Sequence, residues 1–118
     1  DQNALWNQNL KGNLRVILLN NHGGGIFHQL PGLDDSPAAE RLVEGVHTAD
    51  AQGICTQNDI GYLKATTMAE MQIGMVTLLT READRPMLLE VMTDSREDAL
   101  AVKDYYQKIK DEIGKQQK

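Results

Sequence analysis

Leu14-Arg15-Val16-Ile17-Leu18-Leu19 runs directly into Asn20-Asn21-His22-Gly23-Gly24-Gly25, and this junction decides the fold class. A near-continuous apolar run with β-branched members reads as a strand buried on both faces, as in a parallel sheet. The glycine-rich segment then reads as a turn at the strand's carboxyl end. Two further runs of strand character follow, Ile60 to Ala65 and Met87 to Met92.

Helix signals alternate with these strands. Asp1 can cap a helix to about Leu10, ended by Lys11-Gly12-Asn13. A short helix is predicted from about Thr48 to Gln57. Thr67-Met68-Ala69-Glu70 is a capping box that opens a helix to about Arg81, with Met68, Met71, Met75, Leu78 and Leu79 as its apolar face. Ser95-Arg96-Glu97-Asp98 starts a helix to about Ile113, striped by Leu100, Val102, Tyr106, Ile109 and Ile113, and 114–118 reads as a frayed tail. Residues 31–45 form a long polar connection with a helical turn at Ala38 to Val43. Strands alternating with helices mean βαβ units, an α/β fold with a parallel sheet flanked by helices.

Composition narrows the function classes. The chain has 118 residues and a formal net charge of −5, and neither half is basic, which disfavours a grip on nucleic-acid phosphates. Aromatic residues are 4%, so the core must be aliphatic. No apolar run approaches the length of a membrane span, and no secretory leader is visible. Cys55 stands alone, which excludes an internal disulfide, fits a reducing cytoplasmic setting and reads as an inert buried thiol. Asp1-Gln2-Asn3 starts in mid-pattern, and three strands make a small sheet; both read as a piece of a longer protein.

The segment with chemical content is Asn20 to Leu30. Ligands of open α/β sheets bind beyond the carboxyl ends of strands. Consecutive glycines let backbone approach a ligand, and their N–H groups can form a nest for phosphate oxygens. An Asn carbonyl is a hard oxygen donor suited to Mg²⁺. Ile26 and Phe27 can wall an adjoining pocket. The same residues also read as a plain glycine turn with Asn in left-handed conformations. His22, His28 and His47 have the spacing of no helical pair and no zinc template, although His28 can face the cavity. Asp34-Asp35 and Glu40-Arg41 read as a solvated loop or lid.

Asn-Asn followed by glycines resembles the second half of the thiamine diphosphate signature. The fuller string from Leu18 to Pro31, Leu-Leu-Asn-Asn-His-Gly-Gly-Gly-Ile-Phe-His-Gln-Leu-Pro, is similar to the 2-succinyl-5-enolpyruvyl-6-hydroxy-3-cyclohexene-1-carboxylate synthases of menaquinone biosynthesis. The resemblance implies that residues 1–118 are a C-terminal part of a thiamine diphosphate-binding, pyrophosphate-side domain. It implies cofactor contacts from Asn21, His22, Gly23 and Gly24. Mg²⁺, or Mn²⁺ in its place, would take the Asn21 side-chain oxygen and the Gly23 carbonyl. Ile26 and Phe27 would meet the substrates.

Such enzymes decarboxylate 2-oxoglutarate and add the product to isochorismate, and they work as homodimers or higher homo-oligomers. The Gly-Asp that opens the signature is absent from the sequence, and the cofactor-activating Glu belongs to another domain. The resemblance therefore puts no catalytic acid or base on this chain, which by itself is expected to be inactive. Two other readings are an enzyme of the acetolactate synthase or decarboxylase type and a non-catalytic, flavodoxin-like binding module.

Overall fold

The computed structural model describes residues 2–32 and 36–116. Asp1, Asp34, Asp35 and the last two residues of the expected frayed tail lie outside that range. Three strands, β1 (Arg15–Asn20), β2 (Gly61–Ala65) and β3 (Met87–Met92), form one sheet in the order β1-β3-β2. Both pairings are parallel, with Ile17 and Leu63 each opposite Leu89. Helices α1 (Gln52–Gln57), α2 (Met68–Thr80) and α3 (Ser95–Gln116) complete the expected α/β architecture. Two compact units are present: one holds residues up to Asn20 together with Ala49–Met92, the other Asn21–Thr48 with the residues from Thr93 onward.

In the first unit β3 is central and buried, and its alternating side chains serve two cores. Leu88 packs with Ala51, Cys55 and Ile60, flanked by Leu5, Val16 and Tyr62. Met87 and Leu89 pack with Ala65 and Leu78, flanked by Leu63, Met71, Met75 and Val91. Glu90, on the same face of β3 as Leu88, is fully buried yet satisfied. Its carboxylate accepts from the Asn20 carboxamide at 2.8 Å, the Tyr62 hydroxyl at 2.6 Å and the Ala51 N–H at 2.9 Å. Cys55 is buried, as expected, and burial pushes its thiol pKa up.

Several expectations need correction. β1 is not buried on both faces: Ile17 and Leu19 are 49% and 67% exposed. It is an edge strand, and in the two cores only its Val16 takes part. The Asp1-to-Leu10 helix is only a 3₁₀ turn, Gln2–Trp6. Asn7 Oδ1 accepts the Asn9 N–H at 2.9 Å, a local bond that competes with helix. Helix α1 starts at Gln52 rather than Thr48, and the N–H of Ala51, the residue before it, is capped by the Glu90 carboxylate.

The capping box of α2 is formed in both directions between Thr67 and Glu70. Of its expected apolar face, Met71, Met75 and Leu78 pack on the sheet. Met68 stands exposed at the first helical position, and Leu79 is exposed about 100° round the helix from Leu78. In the second unit the turn at Ala38–Val43 is a π-helical turn, Ala39–Glu44. Asp94, not Ser95, caps α3: its Oδ1 accepts the Arg96 and Glu97 N–H groups at 3.0 Å. The helix runs through Gly114 to Gln116, where fraying is expected. Its stripe is not a buried face: Leu100, Tyr106 and Ile113 are all at least half exposed, and within the second unit α3 packs on the 3₁₀ turn Gly25–Gln29.

Candidate functional site

The glycine loop that follows β1 is held by its own backbone. Asn21 Oδ1 accepts the Gly23 N–H at 3.2 Å, and the Gly24 N–H donates to the Glu44 carbonyl at 2.8 Å. The Phe27 N–H returns to the Gly24 carbonyl at 3.0 Å and opens the 3₁₀ turn Gly25–Gln29. The expected nest of glycine N–H groups for phosphate is therefore not what Gly23 and Gly24 provide, since both donors serve internal bonds. Nor do the Asn residues turn left-handed: His22 takes that conformation, at φ 60°, while its carbonyl accepts the His47 N–H at 2.9 Å.

Glycine is required here for close approach. A Cβ on Gly23 would stand 2.8 Å from Glu44 Oε1, and one on Gly24 would stand 2.7 Å from the Phe27 ring. A Cβ on Gly25 would meet the Asn21 carboxamide nitrogen at 3.0 Å. The loop is thus a tightly seated strip of backbone beside a carboxylate. Phe27 is half-buried over Gly24, whereas Ile26 is exposed.

Sequence reasoning passes over the buried centre of this unit. Glu44 is 7% exposed, and its Oε1 accepts the Ser95 hydroxyl proton. His28 Nε2 lies 3.1 Å from the same oxygen and 3.3 Å from Ser95 Oγ. The Ser95 bond holds the Glu44 carboxyl below its ordinary value against burial, which pushes it up, and His28 and Arg96 add to the lowering. Hydroxyl, carboxylate and imidazole together suggest a nucleophile triad, but the bonding is wrong for one. Ser95 donates to the carboxylate rather than to His28, and His28 turns one nitrogen toward both partners, where a triad uses opposite ring nitrogens.

No arithmetic of spacing joins Glu44 to Ser95, since the meeting depends on the polar connection folding back over the loop. The only forewarning is the His28 that follows Phe27. His28 also lines an open groove of about 830 Å³ along α3, with Gln29, Arg96, Leu100, Lys103 and Tyr106.

Among the described residues no group of three His, Cys, Asp or Glu side chains could hold a metal ion. The donors suited to one are neutral oxygens, the Asn21 carboxamide and the Gly23 carbonyl. Asn21 Oδ1 accepts one hydrogen bond and keeps a second lone pair, so a hard cation bridged to phosphate fits the donor chemistry. Among the described residues no helix is long and apolar enough to cross a membrane.

No family model matches the chain. Curated proteins do. The 2-succinyl-5-enolpyruvyl-6-hydroxy-3-cyclohexene-1-carboxylate synthases of Phocaeicola vulgatus and Bacteroides thetaiotaomicron are each 40% identical over 111 residues, which is 93% of this chain and 20% of theirs. The synthase of Christiangramia forsetii is 37% identical over 110 residues, 93% of this chain and 19% of its own. The chain spans about one fifth of the length of the curated relatives it matches, and over that fifth it is homologous to the 2-succinyl-5-enolpyruvyl-6-hydroxy-3-cyclohexene-1-carboxylate synthases.

Proposed function

We propose that this chain is the C-terminal, pyrophosphate-side segment of a thiamine diphosphate- and Mg²⁺-dependent synthase of menaquinone biosynthesis. The whole enzyme, a homodimer or larger homo-oligomer, would join decarboxylated 2-oxoglutarate to isochorismate. The observation that carries the reading is the loop after β1, where the Asn21 carboxamide and the Gly23 carbonyl offer hard oxygens on a backbone where a side chain at 23 or 24 would displace Glu44 or Phe27. The bound cofactor would supply the decarboxylation and carbon–carbon bond-forming chemistry. Asn21 and Gly23 would hold the Mg²⁺ that clamps its diphosphate. His22 and Gly24 would shape the rest of the cradle, through their main chain. Exposed Ile26 and half-buried Phe27 would exclude water beside the substrates.

The test is made in the full-length protein. Asn21→Ala should weaken Mg²⁺-dependent binding of thiamine diphosphate, followed by calorimetry, while leaving the thermal midpoint near its original value. Unchanged affinity would remove Asn21 from the metal site. Phe27→Ala should reduce turnover or substrate affinity more than cofactor binding. Formation of product from 2-oxoglutarate and isochorismate, and not from pairs of pyruvate, separates this reading from an acetolactate-type enzyme.

A further inference from the structure

We infer that Glu44 is the positioning residue of the glycine loop, the group that sets the Gly23 carbonyl and the start of the Ile26–Phe27 wall. The inference deepens the reading of this loop as half of a Mg²⁺–thiamine diphosphate site and rests on it.

Glu44 reaches the loop by two handles. Its main-chain carbonyl takes the Gly24 N–H at 2.8 Å, which fixes the peptide that follows Gly23. Its carboxylate lies where a Gly23 side chain would begin, 2.8 Å from the ideal Cβ position. Rotation of the Gly23–Gly24 peptide breaks the Gly24 bond, and the carboxylate fills the space into which any side chain at 23 would extend. The carboxylate itself cannot drift, because Ser95 at the start of α3 donates to it and His28 of the 3₁₀ turn stands 3.1 Å from it. His28 follows Phe27 directly, so the same carboxylate sets the end of the apolar wall.

One buried oxygen thus ties three segments that the chain supplies far apart. The two lone pairs of Oε1 can take the Ser95 hydroxyl and the His28 ring N–H at once. A hydrogen bond to a charged group also resists exchange with water. Glu44 touches neither substrate nor metal in this role; it acts through Gly23, Gly24 and His28.

The test is calorimetric titration of thiamine diphosphate into the full-length protein at a series of Mg²⁺ concentrations, with the thermal midpoint recorded alongside. Glu44→Ala should raise the half-saturating Mg²⁺ about tenfold, the size of one lost bond to a charged group. Glu44→Gln retains an acceptor for Ser95 and should stay within about threefold. If Glu44→Ala does not fold, Ser95→Ala carries the test, with a smaller rise in the same quantity because Glu44 is left in place but unlatched. A lowered midpoint with unmoved Mg²⁺ requirement in these variants would make Glu44 merely structural and overturn the inference. Should the unaltered protein bind cofactor without any need for Mg²⁺, the proposed function falls, and this inference falls with it.

Discussion

Tyr62 on β2 donates its hydroxyl to Oε2 of Glu90 on β3 at 2.6 Å, one strand over in the parallel sheet. The bond keeps a carboxylate in the middle of the sheet with no exposure. Burial pushes the Glu90 pKa up, but the Tyr62 hydroxyl, the Ala51 N–H and the Asn20 carboxamide together hold it below its ordinary value of 4.5. Burial, with the Glu90 carboxylate beside it, pushes the Tyr62 pKa up, so the hydroxyl remains a donor at neutral pH.

A carboxyl with a lowered folded pKa contributes stability above its unfolded pKa and loses it as pH falls through the folded one, because the unfolded chain takes up the proton first. Tyr62→Phe should therefore cost about 1.5–3 kcal/mol near pH 7. It should also move the acid unfolding midpoint upward, since Glu90 then keeps less of its ionised advantage. Urea denaturation of the 118-residue chain across pH 3 to 7 measures both. An acid limb identical to that of the unaltered chain would show that Tyr62 does not hold the Glu90 proton balance.

Gly12 is the least replaceable glycine. A Cβ there would stand 1.4 Å from the Ala83 carbonyl oxygen, a backbone atom with no rotamer to give. Gly12→Ala should cost more than the ~1–3 kcal/mol of ordinary overpacking, because the segments around residues 12 and 83 must separate. Gly53, with nothing within 4 Å, lies inside α1, and Gly53→Ala should gain about 0.5–1 kcal/mol of helix propensity. Thermal midpoints of the two variants should move in opposite directions.

Leu89 and Leu19 look alike in sequence, each inside an apolar strand, yet one is fully buried and the other 67% exposed. Leu89→Ala should cost about 2–5 kcal/mol, the range for a buried Leu truncation. Leu19→Ser in this chain should fall within about 0.5 kcal/mol. Equal losses in denaturant midpoint would mean that β1 is covered after all.

The positions of the three strands were legible because each is a short apolar run bounded by polar or glycine signals, and the Thr67–Glu70 box marked α2 to within one residue. What periodicity cannot supply is the layer that covers a face. The runs at Leu14–Leu19 and Met87–Met92 read alike, and only strand order makes β3 central and β1 an edge. At the candidate site the Asn–glycine loop was visible as a motif, whereas Glu44 and Ser95 were not. Their meeting depends on a turn with no periodic signal of its own, and Ser95 presented itself as a cap while Asp94 performs that task. The consecutive glycines suggest close approach to a ligand and a phosphate nest, whereas the structure seats Gly23 and Gly24 closely against Glu44 and Phe27 with both N–H groups in internal bonds.

The order β1-β3-β2 has a consequence for the history of the molecule as it leaves the ribosome. The two outer strands emerge first, and the strand that joins them emerges last, so Arg15 must wait for Met87 before its ladder with β3 exists. Until then neither β1 nor β2 has a partner among these three strands, and their apolar side chains travel unprotected. Contacts this distant along the chain close slowly. A nascent chain stalled before residue 87 would leave β1 and β2 each without the β3 edge it pairs with, and this is the stage at which a holding chaperone would matter most.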